Sequence, residues 1–119
     1  MRVLATPAFD RTLAEALAFL TKANAGPAAE RLLNAALKKL PEVLAHHPRL
    51  GRNFLIRSPQ SVEAEQAHRQ ATALLGKATE LREYILGDYL VLYAVEDDVI
   101  HLVSIRHHRQ SSFSIPGDP

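Results

Sequence analysis

Five consecutive residues, Arg106-His107-His108-Arg109-Gln110, concentrate positive charge and hydrogen-bond donors in a chain of 119 residues whose formal net charge is only +1. Guanidinium groups meet phosphates and carboxylates through paired hydrogen bonds, and imidazoles titrate near neutrality, so this cluster has the chemistry of an anion-recognising surface. A solvated strand end is the plain alternative reading. Because the bulk charge is close to zero, any attraction for nucleic acid or an acidic partner has to come from a local patch such as this one.

Other chemistries find less support. His46-His47 and His107-His108 are histidine pairs, but neighbours on a strand point to opposite faces and do not chelate one ion together. With no cysteine and no helical His pair flanked by Glu, neither a metal nor another cofactor is expected. His101 reads as a packed or half-buried strand residue. Asp97-Asp98 is an adjacent carboxylate pair whose simpler reading is hairpin-turn chemistry. The five glycines stand apart from one another, so there is neither a phosphate-cradling loop nor a nucleophile elbow.

The basic cluster closes a run from Leu81 to Gln110 that must position it. Three β-rich segments, Leu81–Leu86, Tyr89–Val95 and Val99–His107, are separated by Gly87-Asp88 and Asp97-Asp98, which tolerate the dihedrals of tight hairpins. The middle segment is apolar on both faces, with Tyr89, Val91, Tyr93 and Val95 on one and Leu90, Leu92 and Ala94 on the other, which predicts a central strand. Strict alternation in the last segment places His101, Val103, Ile105 and His107 together, opposite Ile100, Leu102, Ser104 and Arg106.

Upstream, Arg2–Ala5 reads as a first strand, Thr6 as a cap and Pro7 as the first turn of a helix carrying Phe9, Leu13, Ala16, Leu17 and Leu20 on one stripe. Asn24-Ala25-Gly26-Pro27 stops it and starts another, with Gly26 expected in the left-handed position. The second helix has a stripe of Leu32, Leu33, Ala36, Leu37 and Leu40, and Pro41 marks its end or a kink before a further turn or two to His47. Pro48–Arg52 reads as a loop, Ser61–Lys77 as an alanine-rich helix with a thin apolar stripe, and Ser111–Pro119 as an irregular tail. The fold class is therefore α+β: an N-terminal strand, a helical hairpin, an inserted third helix, and a C-terminal three-stranded antiparallel meander that completes a four-stranded sheet. One domain over residues 1–119 is expected, with residues 53–79 as the inserted helical segment and 111–119 as the tail.

An apolar fraction of 47% and a charged fraction of 23% fit a globular chain, and no run approaches the roughly 18 apolar residues of a membrane span. The apolar start is broken by Pro7, unlike a secretory signal, so a cytoplasmic protein without membrane association is expected.

The order of these pieces resembles the RelE/ParE family, the toxin halves of bacterial type II toxin–antitoxin pairs, also known as plasmid stabilisation proteins. The resemblance lies in Pro48 with Gly51-Arg52, Leu81-Arg82-Glu83, Tyr89 to Tyr93, Asp97-Asp98 and His107 to Gln110. It implies growth inhibition, and neutralisation by a cognate acidic antitoxin whose C-terminal segment lies in a groove across the helical hairpin and sheet. Ribonuclease members cut messenger RNA on the ribosome and commonly carry an arginine where this chain has Leu90; in that reading His108 is the general base, with Arg106 and Arg109 as phosphate clamps. Gyrase-poisoning members bind DNA gyrase without a nuclease site. The Gly-Arg loop, the Leu-Arg-Glu start and the His-x-Arg ending look closer to this ParE branch. That branch implies Arg82, Arg106, His107, His108, Arg109 and Gln110 as target-binding residues with none catalytic. A toxin-derived, non-toxic binding module, with the inserted helix as a homodimer or partner surface, is a further alternative.

Overall fold

A computed structural model of the chain describes residues 1–53, 69 and 80–110. The helix expected from Ser61 to Lys77, Arg69 excepted, and the tail from Ser111 onward lie outside the described residues. The elements run β1 (Arg2–Ala5), α1 (Pro7–Lys22), α2 (Gly26–Asn34), a π-helical turn (Ala35–Lys39), α3 (Leu40–His46), β2 (Arg52–Asn53), β3 (Glu80–Leu86), β4 (Tyr89–Glu96) and β5 (Val99–His107). They form an α+β fold in which the helices pack on one face of a sheet of order β1-β5-β4-β3-β2.

The sheet has five strands rather than the expected four. The meander β3-β4-β5 is antiparallel, and β1 joins it parallel to β5 with Arg2 opposite Val99 and Ala5 opposite Leu102. The additional strand comes from the segment read as a loop and from Asn53, assigned by sequence to the insertion: Arg52 pairs with Glu83 and Asn53 with Arg82. Two residues carry too little periodicity to register as a strand.

Helix α1 starts as its sequence dictates, with the Thr6 hydroxyl accepting the Phe9 N–H at 3.2 Å and Pro7 in the first turn. Its end differs from expectation, because Asn24 takes the left-handed conformation (φ 57°) and Gly26 opens the next helix. Asn is the non-glycine residue best suited to that position. In the second helical run Leu32, Ala36, Leu40 and Leu44 are buried, whereas Leu33 and Leu37, expected on the same stripe, face outward. A spacing of four residues drifts around a regular α-helix, which advances 3.6 per turn. The wider turn at Ala35–Lys39, where the Leu40 N–H bonds the Ala35 carbonyl, absorbs that drift and lets the helix continue through Pro41.

The core joins Phe9, Leu13, Leu32, Ala36, Leu40 and Leu44 of the helices to Val91, Tyr93, Val95, Ile100, Leu102 and Ile105 of the sheet. The last three break the strict alternation expected of β5. The register slips between Leu92 opposite Ser104 and Tyr93 opposite Leu102, leaving Val103 as the additional residue of a β-bulge. Ile100 and Leu102 therefore share the helix side with Ile105 and His107, and the expected grouping of Ile105 and His107 with His101 and Val103 fails.

Two threonines of the α1 segment stabilise this bulge. Past Ala5 β1 no longer pairs with β5, and the Thr6 hydroxyl donates to the Val103 carbonyl at 3.0 Å. The Thr12 hydroxyl donates to the Ala8 carbonyl at 2.8 Å and accepts the Ile105 N–H at 3.1 Å. Both threonines are buried, so these bonds satisfy backbone groups that water does not reach.

At the other edge, Gly51 is pressed into a latch. Its N–H donates to the Tyr93 hydroxyl at 2.9 Å, and its carbonyl accepts from Arg82 Nε at 2.8 Å. Arg82 also reaches the Arg49 carbonyl at 3.2 Å and Glu80 at 3.1 Å, and Arg49 meets the same Glu80 carboxylate. Burial pushes the Tyr93 phenol above its ordinary value, against the Gly51 N–H and the Arg82 charge, which keeps it a neutral hydroxyl. On the opposite face of the sheet, the fully buried Glu83 carboxylate pairs with Arg52 at 3.0 Å. That pair ties β2 to β3 beside the backbone pairing of Arg52 with Glu83.

Two substitutions test these ties. Thr12→Val keeps the shape but strands the buried Ile105 N–H, and is expected to lower unfolding free energy by about 1–3 kcal/mol in chemical denaturation. Gly51→Ala would put a Cβ 2.7 Å from the Glu83 carbonyl oxygen and 2.9 Å from the Tyr93 ring. Because one of these neighbours is backbone, that substitution is expected to cost about 1–3 kcal/mol in the same measurement.

Candidate recognition site at the end of β5

The Gly87-Asp88 turn and the end of β5 form one edge of the molecule. Gly87 supplies the positive φ (61°) that the hairpin requires, and the Asp88 carbonyl accepts the His108 N–H at 2.9 Å. The chain then folds back on itself. The Gln110 N–H donates to the His107 carbonyl at 2.9 Å, while the His107 N–H donates to the Gln110 side-chain oxygen at 2.8 Å.

Arg106 sits inside this turn. Its Nη1 donates to the carbonyls of His107 (3.4 Å), His108 (3.5 Å) and Gln110. These contacts tie Nη1 of the guanidinium to the turn, and Arg106 also lines the cavity beside it. The Arg109 side chain and His107 Nε2 make no hydrogen bond within the described residues.

His107 is held on two sides. Its ring meets Tyr89 edge-on, with centroids 5.3 Å apart at 87°, and lies over His108 at 4.4 Å and 32°. The two imidazoles thus lie side by side, not on opposite faces as a continuing strand would place them, because β5 ends at His107. The Arg109 N–H donates to His107 Nδ1 at 3.2 Å, which leaves the ring proton of the neutral imidazole on Nε2. Burial, reinforced by the Asp88 carboxylate, pushes the Tyr89 phenol above its ordinary value.

Between α1 and this edge lies a cavity of about 520 Å³. Ala16 and Ile105 give it apolar walls, Phe19 and Tyr89 aromatic ones, and Glu15, Arg106, His107 and Arg109 charged or titratable ones. Phe19 is 71% exposed, the most open of the large apolar side chains among the described residues. Glu15 pairs loosely with Arg11 at 3.5 Å on the solvent side of α1.

Of the residues singled out from sequence, Arg106, His107, His108, Arg109 and Gln110 come together here. Arg82 does not: its cross-strand partner is Tyr93, four residues along β4 from the Tyr89 that opposes His107, and its guanidinium is engaged in the Gly51 latch. Asp97, at φ 50°, and Asp98 form the β4–β5 turn, as their hairpin reading had it. His101 is half-buried, with Nε2 3.6 Å from Glu96. His46 Nδ1 donates to the Glu42 carbonyl (2.9 Å), and among the described residues no three His, Asp or Glu side chains gather where an ion would be held. Sequence reasoning missed Glu15 and Phe19. The available signal was a phenylalanine lying off the Phe9-Leu13-Leu17-Leu20 stripe, on a face that otherwise carries charge.

Among the described residues no helix is long and apolar enough to cross a membrane. No curated protein matches the chain. The sequence model describing the ParE toxin of the type II toxin–antitoxin system parDE matches residues 3–112, which take in the whole described sheet except the first residue of β1, the helical hairpin and the β5 edge. The chain belongs to the ParE toxin family of type II toxin–antitoxin systems.

Proposed function

We propose that this toxin arrests growth by binding DNA gyrase through the β5 edge, presenting His107 and Arg109, and that it does so without cutting nucleic acid. The observation that carries this reading is the engagement of Arg106. The residue that would clamp phosphate in a ribonuclease gives Nη1 of its guanidinium to the carbonyls of the terminal turn. On the neighbouring strand its partner across the sheet is Leu90, an aliphatic side chain that cannot stabilise developing phosphate charge. An exposed guanidinium and an imidazole N–H beside aromatic rings are groups that anchor protein interfaces.

A toxin of this kind works against an antitoxin. We place the antitoxin on the helical hairpin, where Phe19, Leu33 and Leu37 are exposed in spite of their size. Such a partner would carry apolar side chains for these positions and carboxylates for Arg109.

Regulated expression tests both parts. The wild-type chain is expected to stop growth, and the purified protein to inhibit gyrase supercoiling without cleaving messenger RNA. Arg109→Ala is expected to weaken inhibition about tenfold or more, the cost of one anchor residue, whereas His108→Ala is expected to remain toxic. Phe19→Glu should still arrest growth but escape rescue by the co-expressed antitoxin. Loss of toxicity in His108→Ala, with cleaved messenger RNA in the wild type, would replace this reading with a ribonuclease.

A further inference from the structure

We propose that the cavity between α1 and β5 is a binding site for a guanine nucleotide, an activity beyond the growth arrest proposed above. Its volume of about 520 Å³ falls within the ordinary range for small-ligand clefts, roughly 300–1,000 Å³. More informative is the separation of chemistries around its rim. Glu15, on α1, brings a carboxylate, while Arg106, His107, Arg109 and Gln110, on the β5 edge, bring donors.

The donor side suits a phosphate. The His107 ring proton is on Nε2 because Nδ1 accepts from the Arg109 N–H, and Tyr89 holds the ring edge-on. Arg109 adds a guanidinium with no other side-chain partner among the described residues. Together they present directed N–H groups and a fixed positive charge to an anion.

The carboxylate side selects the base. The Watson–Crick edge of guanine offers two adjacent donors, N1–H and the N2 amino group, and a carboxylate accepts both in parallel. Adenine offers one donor beside the N1 lone pair, which a carboxylate repels, and the pyrimidine edges also carry an acceptor there. Glu15 retains this capacity because its contact with Arg11 is a single 3.5 Å approach by Oε1. Phe19 supplies an open aromatic face on which a base stacks without regard to its identity, with Ala16 and Ile105 beneath it. An acidic peptide would meet Arg109 equally well but would bring its own carboxylates against Glu15, so the rim as a whole favours the nucleotide.

Titration calorimetry of the purified full-length chain tests this with guanosine 5′-monophosphate, adenosine 5′-monophosphate, guanosine, and single-stranded hexanucleotides with or without guanine. The proposal expects the guanine nucleotide to bind at least about tenfold more tightly than the adenine nucleotide, the discrimination of one bidentate contact. Glu15→Gln, an exposed helix position that tolerates substitution, should erase that preference. Arg109→Ala should weaken the nucleotide but leave guanosine unchanged. Binding of the guanine hexanucleotide alone would support the site with its base presented within a strand. Equal affinity for the two nucleotides, no response to Glu15→Gln, or binding only of a glutamate-rich peptide would overturn the proposal. Any of these leaves the supercoiling and growth results untouched, so the two readings fail separately.

Discussion

Much of this molecule depends on a single additional residue in its longest strand and on the two hydroxyls that stabilise it. A β-bulge costs ladder hydrogen bonds and exposes backbone groups that must find partners. Here Val103 interrupts β5 just where β1 ends, and Thr6 and Thr12 take over as hydrogen-bonding neighbours, one accepting from α1's own first turn and both contacting β5. The bonds fix the helix against the strand as well as the strand against itself. They also reset the side-chain phase, so that Ile105 stays in the core and His107 arrives on the helix side instead of facing away.

That change of phase builds the candidate site. With His107 on the side of α1, the Tyr89 ring, the Ala16 and Phe19 side chains and the terminal turn can enclose a common cavity. The turn itself is closed by Arg106 and by the reciprocal bonds between His107 and Gln110. Arg106, one of the basic residues of the cluster, thus also braces the turn that carries its neighbours. The Gly51 latch at the far edge has the same logic: Arg82, buried to a large degree, spends its charge on carbonyls and on Glu80 and so anchors the short strand β2.

The sequence made the principal elements legible because their signals were local. Thr6-Pro7 is a helix start by its own chemistry, the Gly87-Asp88 and Asp97-Asp98 pairs are turns by theirs, and the doubly apolar β4 can sit only in the centre of a sheet. What escaped depended on partners distant in the chain. The bulge at Val103 has no signature of its own, since Val is at home in any strand; it follows from the end of β1 about a hundred residues earlier. The outward turn of Leu33 and Leu37 follows from a π-helical turn that periodicity at 3.6 residues does not anticipate. Strand β2 exists only because Glu83 and Arg82 await it on β3. For the site, five consecutive basic and polar residues were visible as a patch. The roles within the patch were not, because donors cannot be assigned to carbonyls before the turn is folded.

On the function proposed above, the β5 edge, shaped by the bulge and by Arg106, is the surface through which this toxin recognises its target. Amide hydrogen exchange of the purified chain, alone and with DNA gyrase, locates that surface residue by residue. Gyrase is expected to slow exchange at residues 106–110 and in the Gly87-Asp88 turn, while the Gly51 latch at the opposite edge of the sheet is unchanged. Protection confined to the latch or to β1, with residues 106–110 exchanging as in the free chain, would contradict it.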